Sequence, residues 1–386
     1  MRKVAAIGIG QTVVSEHWDK SLKELAGDAI LDALMDAQIN KFDSLFIGNM
    51  MSASANQQQN IGAYIADWVG ARGSESIRVE SACSSGSAAF RAAVFAVASN
   101  EVDIAVAAAV EKMTDSPSTE ITANLATAAD ADWEVSQGVS FVALNALLMQ
   151  RYLHEYSWDH SNFAGFSINA HMNALNNPFA RFKSALSKEQ YAKSPVICDP
   201  ITLMDASPIG DGAAAVILVP YNSIDTYGNH KIISVAGSSA ASDTIAVHSR
   251  KDPLWLSAAE RSAKQAYSQA GITERDIDLF EYHDAFTIMA ALSLEACGFA
   301  DRGKAPNLAL EGELHLSGRI PVATMGGLKA RGHPVGATGM YQIVEMIQQL
   351  RGEAGKNQVK GAVFGMAQNI GGSGSNIITH ILTNEN

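Results

Sequence analysis

The most informative segment of the chain is Val79-Glu80-Ser81-Ala82-Cys83-Ser84-Ser85-Gly86-Ser87-Ala88-Ala89-Phe90. A β-branched residue and several small residues lead into a lone cysteine, and an alanine-rich run with helical composition follows it. A cysteine at the start of a helix lies near unpaired backbone N–H groups, which stabilise the reactive thiolate. The segment therefore predicts that Cys83 is a nucleophile and that neighbouring N–H groups bind an oxyanion.

A second segment near the end of the chain has the same layout: Met325-Gly326-Gly327-Leu328-Lys329-Ala330-Arg331-Gly332-His333-Pro334-Val335-Gly336-Ala337-Thr338-Gly339. An apolar helical run follows this segment too. When Gly86 is aligned with Gly336, Cys83 aligns with His333, because each lies three residues before its glycine. We therefore expect a nucleophile and a base at equivalent positions of a duplicated unit.

The duplication extends beyond these two segments. Residues 3–8 (KVAAIG) resemble residues 231–236 (KIISVA), and in each half a helical stretch and an apolar strand follow. The pattern predicts two β–α–β–β–α–β halves. It places a helix at residues 21–37 and strands at 43–47 and 104–110 in the first half, and a helix at 258–270 and strands at 278–282 and 362–366 in the second.

Composition excludes several classes of protein. The chain has 386 residues, 47% hydrophobic and 18% charged, enough to bury one large core or two fused ones. A net charge of −12 argues against nonspecific nucleic-acid binding, which needs clustered Lys and Arg. No apolar run is long enough for a membrane span, and residues 1–9 lack the cleavage signature of a signal peptide. The three cysteines fit a reducing cytoplasm and include no zinc-binding pair, so we expect a cytoplasmic protein without a metal.

Residues 114–194 interrupt the repeat, with more Asn, Ser, His and aromatic residues and a helical piece at 139–155. We interpret them as an inserted loop domain within an N-terminal half (residues 1–113 and 195–226), followed by a C-terminal half (residues 227–386). His171, Arg181 and Lys183 lie near apolar residues of the insertion, a combination suited to a phosphorylated ligand with an organic tail. With Ser242 they are the candidate ligand-binding residues. A solvated helix end is the alternative interpretation.

Five motifs make the chain similar to the thiolase family over nearly its whole length. They are the cysteine segment, Asp205-Ala206-Ser207-Pro208-Ile209-Gly210-Asp211-Gly212-Ala213-Ala214-Ala215, His283-Asp284-Ala285-Phe286, Gly332-His333-Pro334 and Gly371-Gly372-Ser373-Gly374. Five motifs in family order are specific, whereas one alone is not. The His-Asp-Ala-Phe form resembles the archaeal acetoacetyl-CoA thiolases and the sterol-carrier-protein type. The resemblance implies an α/β, five-layered α-β-α-β-α fold of two similar halves with an inserted loop domain, and a homodimer or homotetramer.

The resemblance also implies a reaction, the condensation of two acetyl-CoA molecules to acetoacetyl-CoA or the reverse thiolysis, feeding the mevalonate pathway of isoprenoid synthesis. Cys83 would attack the acyl thioester and hold the acyl group, and His333 would take the thiol proton. The backbone N–H groups of Cys83 and Gly371 would stabilise the thioester oxyanion, and His283 and His333 would stabilise the enolate. Coenzyme A thioesters are the expected substrates, with no further cofactor.

One position departs from the family pattern. Most thiolases have a second cysteine, the base for α-proton abstraction, where this chain has Asn369. Ala285 occupies the other place from which the sterol-carrier type supplies that cysteine. The remaining cysteines, Cys198 and Cys297, are expected to be packing residues. The α-proton must therefore go to a histidine, and His283 is favoured over a His333 that serves both half-reactions.

Two alternatives stay open. A Cys-His-His set also resembles the ketoacyl synthases, which form the carbanion by decarboxylation and need no strong base. Those enzymes usually carry His-Gly-Thr-Gly-Thr where this chain has His-Asp-Ala-Phe-Thr, so thiolase is preferred. The missing cysteine would also suit a non-catalytic acyl-CoA-binding scaffold. For archaeal relatives the resemblance implies a complex with 3-hydroxy-3-methylglutaryl-CoA synthase and an OB-fold companion that holds CoA, and these are the expected protein partners.

Overall fold

A mixed sheet of nine strands runs through both halves of the chain. The computed structural model describes residues 2–227 and 231–384. Outside it lie Met1, next to the expected first strand, and residues 228–230, 385 and 386 of the expected C-terminal half. The strands are β1 (Val4–Gln11), β2 (Ser44–Gly48), β3 (Glu75–Val79), β4 (Ala105–Glu111), β5 (Val196–Cys198), β6 (Ile201–Thr202), β7 (Gly212–Pro220), β8 (Ile233–Ser242), β9 (Leu279–Glu281), β10 (Phe364–Gly371) and β11 (Asn376–Thr383). Their order in the sheet is β3-β2-β4-β7-β1-β8-β11-β10-β9, and β5 and β6 form a separate pair.

Helices cover both faces of this sheet. The first half has α1 (Leu22–Asp36), α2 (Ser52–Ala55), α3 (Ile61–Trp68) and α4 (Ser85–Ala98). Between β4 and β7 lie α5 (Ser118–Ala126), α6 (Phe141–Tyr156), α7 (Ala164–Ala174) and α8 (Lys188–Ala192). The second half has α9 (Ser257–Ala270), α10 (Thr287–Ala296), α11 (Ala305–Leu310) and α12 (Thr338–Arg351). Among the described residues, no helix combines the length and the apolar character that a membrane crossing requires.

The inner strands are apolar on both faces because both faces are covered by helices. In β4, successive side chains alternate between two cores, with Val106, Ala108 and Val110 in the core that includes α1 and Ala105, Ala107 and Ala109 in the core that includes α4. β7 alternates in the same way between these two cores. Because successive side chains of a strand point to opposite faces, β4 and β7 each pack against helices on both sides of the sheet.

The helices and strands form five layers, because the strands of the two halves, which among the described residues are joined only by the short pairing of β1 with β8, both pack against one central layer of helices. α4 and α12 make up the central layer, where they contact each other and strands of both halves. All residues of α12 except Gln348 are buried. α1 and α3 cover the outer face of the first-half strands, and α9 covers the outer face of β8 and β11. This arrangement confirms the five-layered fold of two similar halves that the sequence predicted.

The two repeats meet at their glycines. A Cβ on Gly86 would lie 2.8 Å from the backbone nitrogen of Met340 and 3.0 Å from the carbonyl oxygen of Gly336. Only a residue without a side chain permits so close an approach of two backbones. The glycines that align in the sequence are therefore neighbours in space, and their contact brings the segments of Cys83 and His333 together.

The second half departs from the expected β–α–β–β–α–β order. It has β8, α9, β9, α12, β10 and β11, and in place of a strand equivalent to β3 a single parallel bridge joins Val322 to Phe280. Residues 298–337 form α11, turns and a π-helical turn at Gly327–Arg331 instead. The prediction was right for the first half and wrong for this strand, because the chain here is diverted into the loop that carries His333.

The inserted segment leaves and returns to the sheet at one place. β4 and β7 are antiparallel neighbours, with Glu111 opposite Gly212, and the chain between these two strands contains the insertion. α6, expected at residues 139–155, begins after Ser140, whose hydroxyl accepts the N–H of Ala143, and ends at Ser157 with a φ of 56°. The division of the chain into three domains stays a prediction.

Candidate active site

Cys83, His283 and His333 line one cavity between the insertion and the two halves. The cavity has a volume of about 220 Å³. Its wall is largely apolar, with Leu125, Phe141, Val142, Ile209, Phe286, Met289, Val335 and Ile370. A mostly apolar wall lowers the local dielectric, so the few polar groups that reach the cavity interact more strongly than they would in water.

The backbone bends sharply just before Cys83. Ala82 has a φ of 48°, in the left-handed region, which costs an L-residue about 1–2 kcal/mol. The Ser85 hydroxyl holds the bend, since it donates to the Ala82 carbonyl at 2.6 Å and accepts the N–H of Ser81 at 2.9 Å. The bend places Cys83 directly before α4, with its side chain on the cavity.

The Cys83 thiol is neutral in this environment. Burial, and after it the negative charge of Glu111, raises the pKa of the thiol to about 12. The backbone N–H groups of Gly372 and of Cys83 itself oppose this shift of the pKa. The sequence predicted a thiolate stabilised by the start of a helix, and burial acts in the opposite direction on the pKa. A nucleophilic Cys83 would therefore have to lose its proton as it attacks.

His283 follows β9 and is held by a chain of amide groups. Its Nδ1 lies 2.8 Å from Nδ2 of Asn369, which also donates to Oε1 of Gln342 at 2.9 Å. Nε2 of Gln342 faces three backbone carbonyl oxygens, which belong to Glu281, Tyr282 and Gln368. These acceptors fix the orientation of the Gln342 amide, and Gln342 in turn fixes Asn369. Nδ1 of His283 is therefore an acceptor, and the neutral ring carries its proton on Nε2.

Both imidazoles are neutral near physiological pH. Burial, and then the positive charge of Arg331, lowers the pKa of His283 to about 3. Burial, His283 and Arg331 together lower the pKa of His333 well below its usual value. The two rings are nearly perpendicular, with centroids 5.2 Å apart, and Nδ1 of His333 lies 2.6 Å from the hydroxyl oxygen of Thr338. The site thus holds one neutral thiol and two neutral imidazoles.

The glycine turn after β10 supplies a backbone N–H to the site. Gly372 lines the cavity, and its backbone N–H acts against the burial that raises the pKa of the Cys83 thiol. The sequence predicted Gly371 for this role. Gly371 lies opposite Asn376 in the β10–β11 hairpin, and a Cβ on it would lie 2.6 Å from the carbonyl oxygen of Ser81. Gly371 lets the turn approach the cysteine segment, and a direct oxyanion contact from Gly371 stays a prediction.

The four candidate ligand-binding residues do not line the cavity: His171, Arg181, Lys183 and Ser242. Arg181 forms an ion pair with Glu16 at 2.6 Å, and Nζ of Lys183 donates to the carbonyl of Pro178 at 2.8 Å. His171 is buried and hydrogen-bonded to a backbone carbonyl of the insertion, and Ser242 is exposed at the end of β8. Each of the first three therefore has a local partner, and the role of all four in ligand binding stays a prediction.

Sequence analysis missed two residues of the site. Ser207 lines the cavity, and its place inside one of the five motifs was the available signal. Glu111 is buried at the end of β4, where its carboxylate accepts the N–H groups of Met50, Met51 and Gly336 at 2.9–3.0 Å. Burial raises the pKa of Glu111 to about 7. A carboxylate at the end of an otherwise apolar strand was the signal for this residue, which ties the His333 loop to the first half.

Comparison with known proteins agrees with this geometry. The family model described as "Thiolase, N-terminal domain" matches residues 3–222, and "Thiolase C-terminal domain-like" matches residues 239–384. The chain is 43% identical to an acetyl-CoA acetyltransferase of Methanothermobacter thermautotrophicus, over 99% of this chain and 100% of the relative. It is 36% identical to an acetyl-CoA acetyltransferase of Methanocaldococcus jannaschii, over the full length of both. Among solved structures, the Ltp2-ChsH2(DUF35) aldolase shares the fold with a TM-score of 0.86 at 22% identity, over 99% of this chain and 97% of that one. The sequence, the five layers and the two full-length relatives establish that the chain belongs to the thiolase family.

Proposed function

We propose that the protein is an acetyl-CoA acetyltransferase, which condenses two acetyl-CoA molecules to acetoacetyl-CoA through an acyl-enzyme on Cys83 and catalyses the reverse thiolysis. The observation that carries the proposal is the convergence of Cys83, His283 and His333 on one apolar cavity. The two archaeal relatives, both acetyl-CoA acetyltransferases, support the same substrate. CoA thioesters are the proposed substrates, and the mechanism below needs no other cofactor.

In the first half-reaction, Sγ of Cys83 attacks the carbonyl carbon of acetyl-CoA while the thiol proton passes to Nε2 of His333. Coupling the two events avoids a free thiolate, which a thiol pKa of about 12 disfavours. The N–H groups of Cys83 and Gly372 stabilise the oxyanion. The C–S bond of the substrate then breaks, the departing CoA thiolate takes the proton from His333, and the acetyl group stays on Cys83.

In the second half-reaction, neutral His333 removes a proton from the methyl group of the second acetyl-CoA. Nε2–H of His283 donates to the enolate oxygen that forms. The enolate carbon attacks the thioester carbon on Cys83, and the bond from that carbon to Sγ breaks. The leaving thiolate takes the proton from His333, so that acetoacetyl-CoA is released and the site returns to its starting state.

This assignment differs from the sequence-based preference for His283 as the base. A base needs a free lone pair on the nitrogen that faces the substrate, but the Asn369 amide donates to Nδ1 and leaves the proton on Nε2 of His283. The Thr338 hydroxyl imposes no such restriction, because it can accept a hydrogen bond from Nδ1–H of His333. Asn369, at the position of the second cysteine in most thiolases, fixes the tautomer of His283 in which Nε2 carries the proton.

We also propose a homodimer formed through the edge of the sheet. β3 is the edge strand of the first half, and Ile77 in it is 42% exposed. Phe95 on the adjacent α4 is 46% exposed. An edge strand with exposed apolar side chains favours pairing with a second copy. A homotetramer would need an additional interface.

The proposed product is acetoacetyl-CoA, and we place the enzyme in the cytoplasm, at the entry to the mevalonate pathway. A complex with 3-hydroxy-3-methylglutaryl-CoA synthase and an OB-fold companion would fit one feature of the cavity. No lysine or arginine lies among its described lining residues, so the phosphates of CoA must be bound elsewhere. A companion protein would supply such a site, and another part of this chain is the alternative considered below.

A thiolysis assay with acetoacetyl-CoA and free CoA tests the proposed activity. We expect the wild-type chain to be active, Cys83→Ala and His333→Ala to fall to background, and Cys198→Ala, outside the cavity, to keep wild-type activity. An inactive wild type that decarboxylates a malonyl thioester would identify a ketoacyl-synthase-like enzyme. A wild type that binds CoA without either reaction would identify a scaffold.

A further inference from the structure

A second groove lies between the end of β8 and the first turn of α9. It has a volume of about 660 Å³, and Arg250, Lys251, Arg261 and Arg302 line it together with Trp255. Two carboxylates, Asp243 and Asp252, also line it, so the groove carries more positive than negative charge. This balance contrasts with the net charge of −12 of the whole chain.

Two of the four cations, Lys251 and Arg261, are exposed to solvent. Arg302 is occupied, since it forms an ion pair with Asp252 at 2.5 Å and donates to the hydroxyl of Tyr156 at 2.7 Å. Lys251 and Arg261 have no ion-pair partner within residues 2–227 and 231–384. Exposed cations without partners attract an anion at little desolvation cost.

Arg250 is the buried part of the groove. Its side chain is 7% exposed, Nη1 donates to the carbonyl of Ser373 at 2.7 Å, and Nε donates to the carbonyl of Thr244 at 3.2 Å. Nη2 is buried and has no hydrogen-bond partner among the described residues. A buried donor without a partner is costly, and a ligand oxygen in the groove would satisfy it.

We propose that this groove binds a phosphate group, as a phosphomonoester or a pyrophosphate, through Arg250, Lys251 and Arg261. Guanidinium and ammonium groups bind phosphate oxygens with charge-assisted hydrogen bonds, and arginine does so with two parallel donors. The groove also adjoins the active site. Arg250 donates to the carbonyl of Ser373, and the preceding residue, Gly372, lines the active-site cavity.

The phosphate has two possible sources. The phosphate belongs either to the nucleotide end of CoA or to a separate phosphorylated ligand. The first of these rests on the proposed function. Calorimetric titration with inorganic pyrophosphate and with adenosine 3′,5′-bisphosphate tests the site without any turnover. The variant is Lys251→Gln with Arg261→Gln, and the matched control is Lys41→Gln with Lys193→Gln, which removes the same charge from exposed positions elsewhere.

We expect the groove variant to bind pyrophosphate about tenfold more weakly than wild type, equivalent to about 1.4 kcal/mol, and the control to bind it equally well. Equal affinity of groove variant and wild type, or no binding to wild type, would overturn the proposal. A raised KM for CoA with an unchanged KM for pantetheine in thiolysis would assign the phosphate to CoA. An unchanged KM for CoA with lost pyrophosphate binding would assign it to a separate ligand. Pyrophosphate binding by a chain without thiolysis activity would contradict the proposed function alone.

Discussion

Asn369→Asp reverses the hydrogen bond on which the assignment of the two histidines depends. In the wild type, Nδ2 of Asn369 donates to Nδ1 of His283 at 2.8 Å and to Oε1 of Gln342 at 2.9 Å. A carboxylate has nearly the same shape but only accepts, so it draws the proton of His283 from Nε2 to Nδ1. Nε2 then becomes an acceptor and no longer donates to the enolate oxygen.

The size of the effect follows from the loss of one donor. Removing a single donor to a developing oxyanion lowers the rate about 10²–10³-fold. We expect this loss in the condensation step, whereas formation of the acyl-enzyme should change only a few-fold, because Cys83, His333 and Gly372 keep their contacts. Asn369→Leu, which offers neither donor nor acceptor, leaves both tautomers accessible and should lie between the wild type and Asn369→Asp.

Rapid-quench kinetics separates the two steps. The burst of CoA on mixing with acetyl-CoA reports acylation, and the appearance of acetoacetyl-CoA reports condensation. The urea midpoint of each variant shows whether it folds like the wild type. If Asn369→Asp folds normally and condenses as fast as the wild type or faster, His283 is the base, because a carboxylate on Nδ1 would assist a base at Nε2, and the reasoning is refuted.

Three further predictions follow from the surroundings of the site. Because burial raises the pKa of Cys83 to about 12, its alkylation by iodoacetamide without substrate should keep accelerating beyond pH 9, and a plateau near pH 7 would reveal a resting thiolate. Burial raises the pKa of Glu111 from 4.5 to about 7, so the folded protein binds this proton more tightly than the unfolded chain does. The contribution of Glu111 to the unfolding free energy should therefore fall as the pH rises from 4.5 to about 7. Glu111→Gln should abolish this pH dependence of the unfolding free energy, measured by urea titration. The same variant should lower the unfolding free energy by about 1–3 kcal/mol, since an amide N–H₂ would face backbone donors. Gly86→Ala should lower the unfolding free energy by about 1–3 kcal/mol in the same titration, because the new Cβ would lie 2.8 Å from the backbone nitrogen of Met340. An unchanged urea midpoint would contradict the close contact of the two repeats.

Local signals in the sequence predicted most of the fold. The helix expected at residues 21–37 is α1 (Leu22–Asp36), where Ser21 and Glu24 form a capping box that can be read directly from the sequence. The helix expected at 258–270 is α9, which begins one residue earlier. The missing counterpart of β3 could not be predicted, because internal similarity implies a strand that the π-helical turn at Gly327–Arg331 and its neighbouring turns replace.

The candidate site was predictable to the extent that its residues lie in motifs. Cys83, His283 and His333 were chosen from such motifs, and the structure brings them to one cavity. The tautomer of His283 was not predictable, because it depends on Gln342, whose amide is fixed by carbonyls far away in the sequence. The sequence also predicts ligand binding by His171, Arg181 and Lys183 of the insertion, because cations lie near apolar residues there, and this stays a prediction. Charge in a sequence does not show which cations are already paired, as Arg181 is with Glu16.

Mass spectrometry of the protein after incubation with acetyl-CoA tests the central claim most directly. The account predicts a mass increase of one acetyl group on the peptide that contains Cys83, and loss of that group when free CoA is added. It also predicts that Cys83→Ala takes up no acetyl group while Cys198→Ala is acetylated like the wild type. An unmodified Cys83 in a chain that still forms acetoacetyl-CoA would contradict the acyl-enzyme mechanism.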